Sequence, residues 1–213
     1  MLNTVDTIDR YVYFNGCHRQ TWKVYEVVIA GCRNPEKAED LRQIKNPKLH
    51  IVQLDITDDA SIEKAVDVVE KIVEERGINM LINNAGVIVR YITNQKPSRA
   101  DVNRQYEINV TSTVILTQYF LQLIRKAPTD RRIINISSGV GSVSLNILGS
   151  AASLVYSSSK TALNQFTKSL SIDLAEDNII AAAFCPGWVK TELDRPVDGR
   201  SGTKHSEGFE RTQ

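Results

Sequence analysis

Cysteine and histidine are scarce in this chain, and what there is lies scattered. Cys17, Cys32 and Cys185 are odd in number and far apart, with no CxxC spacing and only 3 histidines to complete a metal site. That excludes a disulfide framework and a zinc module, and it reads as reduced thiols in a cytosolic compartment. An excess of either charge is also missing. Lys plus Arg number 26 against 25 Asp plus Glu, so no overall field draws the protein toward nucleic acid or an anionic membrane. No apolar run approaches a membrane span, and the opening MLNTVDTIDR lacks the charged-then-apolar pattern of a signal peptide. The expectation is a soluble, cytoplasmic protein whose partners are small molecules or protein, with no metal.

What is present is a rhythm. Short runs rich in Val, Ile and Leu recur at 24–31, 49–54, 80–83, 132–137 and 179–184, each of strand length and nearly continuous in apolar character. Such runs suit strands buried on both faces. Between them lie helical patterns. Residues 61–76 put Ile62, Ala65, Val66, Val69, Ile72 and Val73 on one stripe after acidic and Thr caps at 57–59, and 101–126 and 156–176 read the same way. Strand and helix in alternation predict a doubly wound α/β fold, a parallel sheet with helices on both faces. With 213 residues one domain is expected, over 1–193. Residues 1–23 form a divergent start without a clear period, and 194–213 are a polar, charged tail expected to be mobile.

Open parallel sheets bind ligands beyond the carboxyl ends of their strands. The residues at those places are Arg33, Asp55, the run Asn83, Asn84, Ala85 and Gly86, the pair Ser137-Ser138, and Pro186-Gly187. Tyr156 and Lys160, in YSSSK, open the helix after the Ser-Ser strand and share one face at i, i+4. Taken singly each has a plain structural reading: a solvated helix start for YxxxK, a turn for NNAG, a helix cap for Ser-Ser, a rigid turn for PGW.

Their order changes the weighing. LINNAG at 81–86, INISS at 134–138, YSSSK at 156–160 and CPGWVKT at 185–191 together resemble the short-chain dehydrogenase/reductase family over roughly 24–193. AGCRNPEKA, QYEINV and FCPGWVKTEL are most similar to its carbonyl-reductase-like branch, which includes sniffer and C-factor-like proteins. The resemblance implies a Rossmann-like sheet and a nicotinamide-dependent oxidoreductase that reduces a small-molecule carbonyl or oxidises a secondary alcohol. By the same resemblance Tyr156 donates the proton, Lys160 supplies the charge that favours phenolate and holds the nicotinamide ribose, Ser138 polarises the carbonyl, and Asn109 holds a water of the proton relay. Lowering a phenol by roughly three units represents about 4 kcal/mol, which suits a close, partly desolvated Tyr-Lys pair. Read alone, Asn109 is equally a polar interruption of a helix.

The residue after the second family strand selects NAD or NADP. An acidic side chain there binds the ribose 2'-hydroxyl and repels a phosphate; this chain has Arg33, able to make a forked contact to a 2'-phosphate, so NADPH is expected. A surface arginine paired with Glu36 or Glu39 is the structural alternative. By the resemblance, Asp55 and the Ile56 backbone contact the adenine, Asn83 to Gly86 pack along the adenosine, Val189 and Thr191 hold the carboxamide, and Pro186 and Gly187 belong to the same cofactor-binding set. One family signature is absent. Gly16 is the only glycine before Val24, so nothing there matches the TGxxxGxG loop whose N–H groups receive a pyrophosphate. The family's first and last strands are correspondingly expected to be incomplete. That leaves a second reading, a cofactor-incompetent relative acting as a binding or regulatory partner, dimerising through the helices around 101–126 and 156–176.

Overall fold

The computed structural model describes residues 27–187. The divergent start, the tail, Val189 and Thr191 lie outside the described residues. Strands β1 (Val28–Cys32) and β2 (Leu49–Gln53) pair in parallel with Ala30 opposite Ile51. Strands β3 (Met80–Asn83), β4 (Arg132–Ile136) and β5 (Ile180–Phe184) form a second parallel set, with Asn83 opposite Asn135 and Ile136 opposite Phe184. Among the described residues no ladder joins the pair to the trio. The break falls where the family's first strand was expected to be missing.

The two sets are held together by packing. Val52 and Leu54 beside β2, Leu81 of β3 and Ile133 of β4 meet one apolar layer supplied by helices α2 (Asp59–Val73) and α4 (Ser112–Lys126). Asp58 starts α2 by accepting the Ala60 N–H at 3.1 Å, and the buried stripe Ile62, Ala65, Val69 and Val73 follows at helical spacing. Each large aliphatic group buried in this layer contributes about 1.5–3 kcal/mol. Across the surface of the two helices the Tyr119 hydroxyl donates to Glu63 at 2.8 Å and Lys126 pairs with Glu70 at 2.6 Å.

Alternation along the strands explains why helices lie on both faces. Ala30 and Cys32 of β1 point opposite to Val52 and pack with Leu49, Ile51 and Leu41, the last on the short helix α1 (Glu39–Arg42). On β4, Asn135 and the following Ser137 face α5 (Leu154–Asp173), where they bond Thr167 and Asn164. Strand period then turns Ile134 and Ile136 to the other side. Among the described residues no helix is long and apolar enough to cross a membrane, and no cluster of three or more His, Cys, Asp or Glu could hold a metal.

The pattern over 101–126 predicts a helix, and the chain is helical throughout that span, as α3 (Arg99–Tyr106), a π-helical turn at Glu107–Thr111, and then α4; the widened turn is what the pattern does not show. The cause sits in the middle of the turn. Asn109 is 1% exposed, and its amide is bonded to the backbone of Val87 instead of facing solvent. Widened turns of this kind are frequent at functional sites.

Candidate active site

The described candidate residues lie at carboxyl ends of strands or on the helix that follows β4, apart from Asn109, which sits in the π-helical turn between α3 and α4. Tyr156 and Lys160 occupy the first turns of α5, with the Lys160 ammonium 5.8 Å from the centre of the Tyr156 ring. Lys160 is only 5% exposed. Its Nζ donates to the Ile136 carbonyl at 2.7 Å, and no carboxylate faces it among the described residues. Burial without a counter-charge lowers its pKa from the ordinary 10.5 to about 8, so near neutrality it still carries its proton.

The turn after β4 is built close against that lysine. A Cβ on Gly141 would come within 2.8 Å of Lys160 Cβ and 2.9 Å of its backbone carbon, so only glycine permits the approach. The Gly141 carbonyl accepts from Thr161 Oγ1 at 2.9 Å and Asn164 Nδ2 at 3.2 Å. Ser137 donates to Asn164 Oδ1 at 2.6 Å and is buried. Ser138, half-exposed, has an extended backbone and no hydrogen-bond partner for its hydroxyl among the described residues. Ser137 is thus committed to Asn164 of α5, while the Ser138 hydroxyl is left without a partner among the described residues.

The NNAG run divides in the same way. Asn83 is buried and donates to Thr117 at 2.9 Å and Asn135 at 2.7 Å, while Asn135 in turn donates to Thr167 at 2.8 Å. Its side chain belongs to a polar chain inside the molecule, so Asn83 can offer a ligand only its backbone. Asn84 and Ala85 are half-buried. At Gly86 a Cβ would stand 3.6 Å from Lys160 Nζ and 3.4 Å from Asn109 Oδ1, which places the end of this run directly beside the lysine.

Toward the other end of the sheet, Asp55 Oδ1 accepts from the Thr57 N–H at 2.9 Å and its hydroxyl at 2.7 Å, fixing the turn after β2. Ile56 packs on the main core and borders a cleft of ≈ 590 Å³ shared with Thr57, Thr111, Ser112 and Ile115. Arg33 follows β1 directly and is half-buried. Pro186 and Gly187 follow β5, exposed, with Gly187 at φ 75°, the left-handed region open to glycine.

Sequence reasoning passed over four residues that the structure brings into this region. Gln105, Ser153 and Ser159 are 0%, 5% and 0% exposed and bond the segment after β3 or the start of α5, and Asn164 holds the turn after β4. Only Ser159 carried a signal, by lying inside YSSSK.

The chain is similar in sequence and fold to known proteins. Sniffer of Caenorhabditis elegans superposes with a TM-score of 0.75 at 40% identity, over 79% of this chain and 75% of that one. The NADPH-bound carbonyl reductase from chicken fatty liver gives 0.75 at 37% identity, over 83% of this chain and 71% of that one. Human retinol dehydrogenase 5 is 35% identical over 166 residues, 78% of this chain, and the chain spans 50% of that protein's length. The short chain dehydrogenase family matches residues 17–201. With that span, and with parallel strands flanked by helices as in the matched structures, this chain belongs to the short chain dehydrogenase family.

Proposed function

We propose that this chain is an NADP-preferring oxidoreductase that reduces a small-molecule carbonyl, or oxidises the corresponding secondary alcohol, with Tyr156 as proton donor. The observation that carries the reading is the Lys160 ammonium, buried to 5% exposure, 5.8 Å from the Tyr156 ring and without an anionic partner among the described residues. A cation held there lowers the cost of phenolate, which is what lets a tyrosine exchange its proton near neutral pH.

The residues present fit a nicotinamide nucleotide at one end. Lys160 uses one of its three N–H bonds on Ile136, and the rest have no acceptor among the described residues, an arrangement suited to ligand hydroxyls beside Gly86. Arg33 stands at the end of β1, where a 2'-phosphate would select it. When bound, NADPH supplies the hydride. The chain's own tasks are then to orient and to move a proton: Ser138 donates to the carbonyl oxygen and polarises it, Tyr156 gives that oxygen its proton, and Lys160 stabilises the phenolate left behind.

An uncharged, apolar substrate is the reading suggested by the connection from Ser138 to Tyr156: no charged side chain lies between Arg132 and Lys160, and Val143, Leu145 and Ile147 are 81%, 69% and 89% exposed.

The second reading, a non-enzymatic binding or regulatory relative, rests on the absence of TGxxxGxG before Val24. Hydrogen bonds to charged groups contribute about 1.5–3 kcal/mol each, so a missing phosphate loop weakens nucleotide binding by orders of magnitude. Titrating the purified chain with NADPH and NADH by nucleotide fluorescence and thermal shift separates the two. Binding of NADPH in preference to NADH, with turnover lost in Tyr156→Phe and binding kept, is the expected result. No shift at millimolar nucleotide refutes the enzyme reading.

A further inference from the structure

The segment that follows NNAG belongs to no strand or helix, and it has no strand partner among the described residues. Side chains take that place. Val87 gives its N–H to Asn109 Oδ1 at 2.8 Å, and its carbonyl accepts from Asn109 Nδ2 at 3.0 Å and Gln105 Nε2 at 2.7 Å. Val89 gives its N–H to Gln105 Oε1 at 2.7 Å, and its carbonyl accepts from Ser153 Oγ at 2.6 Å. Gln105 therefore bridges two residues as a neighbouring strand would.

The same group reaches α5. Ser159 Oγ accepts from Asn109 Nδ2 at 3.2 Å and Gln105 Nε2 at 3.5 Å, and it donates to the Tyr156 carbonyl at 2.7 Å. Ser153, the residue before α5, holds φ 65°, a left-handed conformation that costs a non-glycine residue about 1–3 kcal/mol and persists only where its surroundings enforce it. Its hydroxyl bond to Val89 is part of that enforcement. The strained residue, the buried glutamine and the serine between Tyr156 and Lys160 thus tie the same two backbones together.

We propose that Gln105 and Ser159 are positioning residues of the candidate site: acting through Val87, Val89 and the Tyr156 carbonyl, they lock the segment after Gly86 to the first turn of α5 and so set the gap between Gly86 and the Lys160 ammonium. This rests on Tyr156 and Lys160 being the reacting pair, but its test needs neither turnover nor nucleotide. Neither residue touches a reacting atom. Both keep water out of the lysine's surroundings by holding the two backbones in contact.

The test uses the full chain with Gln105→Met and Ser159→Ala, read by NMR for amide exchange and for titration of the Lys160 side chain. Gln105→Met keeps the volume and removes both bridges; Ser159→Ala, a helix-favouring change, covers the case in which the first variant does not fold. Expected in Gln105→Met is at least tenfold faster exchange at Val89 with Ile133 and Asn135 unchanged. Expected in either variant is movement of the Lys160 pKa upward toward 10.5 as water enters. Wild-type Lys160 titration in folded variants overturns the proposal. So does uniform acceleration of all amides, which is the mark of a merely structural role. A failed nucleotide titration beside an altered Lys160 would sink the enzyme reading alone.

Discussion

Lys160 Nζ donates to the Ile136 carbonyl at 2.7 Å, fastening the one buried cation of the described region to the last residue of β4. The bond satisfies one donor and leaves the charge uncompensated, and most of the testable behaviour of this site follows from that imbalance.

Stability should depend on pH through Lys160. Its folded value of about 8 lies below the ordinary 10.5. Below pH 8 both states hold the proton and the folded state bears the full desolvation penalty. Between pH 8 and 10.5 the unfolded chain binds more protons, so stability rises with pH, by about 3 kcal/mol over the window. Urea unfolding of the parent and of Lys160→Met across this range checks it: Lys160→Met should gain relative to the parent at pH 7, and the gap should close by about 3 kcal/mol as pH reaches 10.5. A gap that does not change with pH would refute the assignment.

Arg33→Asp should turn nucleotide preference from NADPH toward NADH. Loss of a charge-assisted contact and gain of a repelling carboxylate should lower NADPH affinity by roughly 10- to 150-fold. Competitive titration of the two nucleotides measures the ratio, and an unchanged ratio removes Arg33 from this role.

Gly141→Ala should destabilise the fold by about 1–3 kcal/mol, because the added methyl meets the Lys160 backbone, which cannot yield as a side chain tip would. Thermal unfolding gives the loss. Since Gly139 has open space around its Cβ position, Gly139→Ala is the control and should change stability little.

Asn135→Ala should cost about 1–3 kcal/mol. It removes the acceptor of one Asn83 N–H and the donor to Thr167 in a region closed to water. Asn83 Oδ1 is already buried with no partner among the described residues, which leaves these side chains little slack to absorb a further loss. Equilibrium unfolding within error of the parent would show that water enters and takes over.

Much of this was readable from the residues, and what was not has identifiable reasons. The strand ends were legible because apolar runs stop where NNAG, Ser-Ser and YSSSK begin, and helical spacing alone puts Tyr156 and Lys160 on one face. Ser137 and Ser138 could be divided by strand period, but which of them turned inward needed Asn164. Gln105 was illegible. It sits in RADVNRQYE, a stretch polar on every side, and only contacts 16 to 18 residues back and 54 ahead make it fully buried. Among the described residues no ladder joins β1 to β3, and the core that spans the two sets depends on α2 and α4 packing against both, which strand pattern alone does not reveal.

The π-helical turn at Glu107–Thr111 amounts to a frame shift written in three dimensions. A regular helix advances about 100° per residue, so the extra residue lodged in this turn rotates everything before it relative to everything after. Gln105 and Asn109, four residues apart, share the face that meets Val87, and the offset after them lets α4 keep its apolar face on the core. Deleting a single residue here would leave composition, charge and hydrophobic pattern nearly untouched, yet it would force a choice between a packed core and an assembled site.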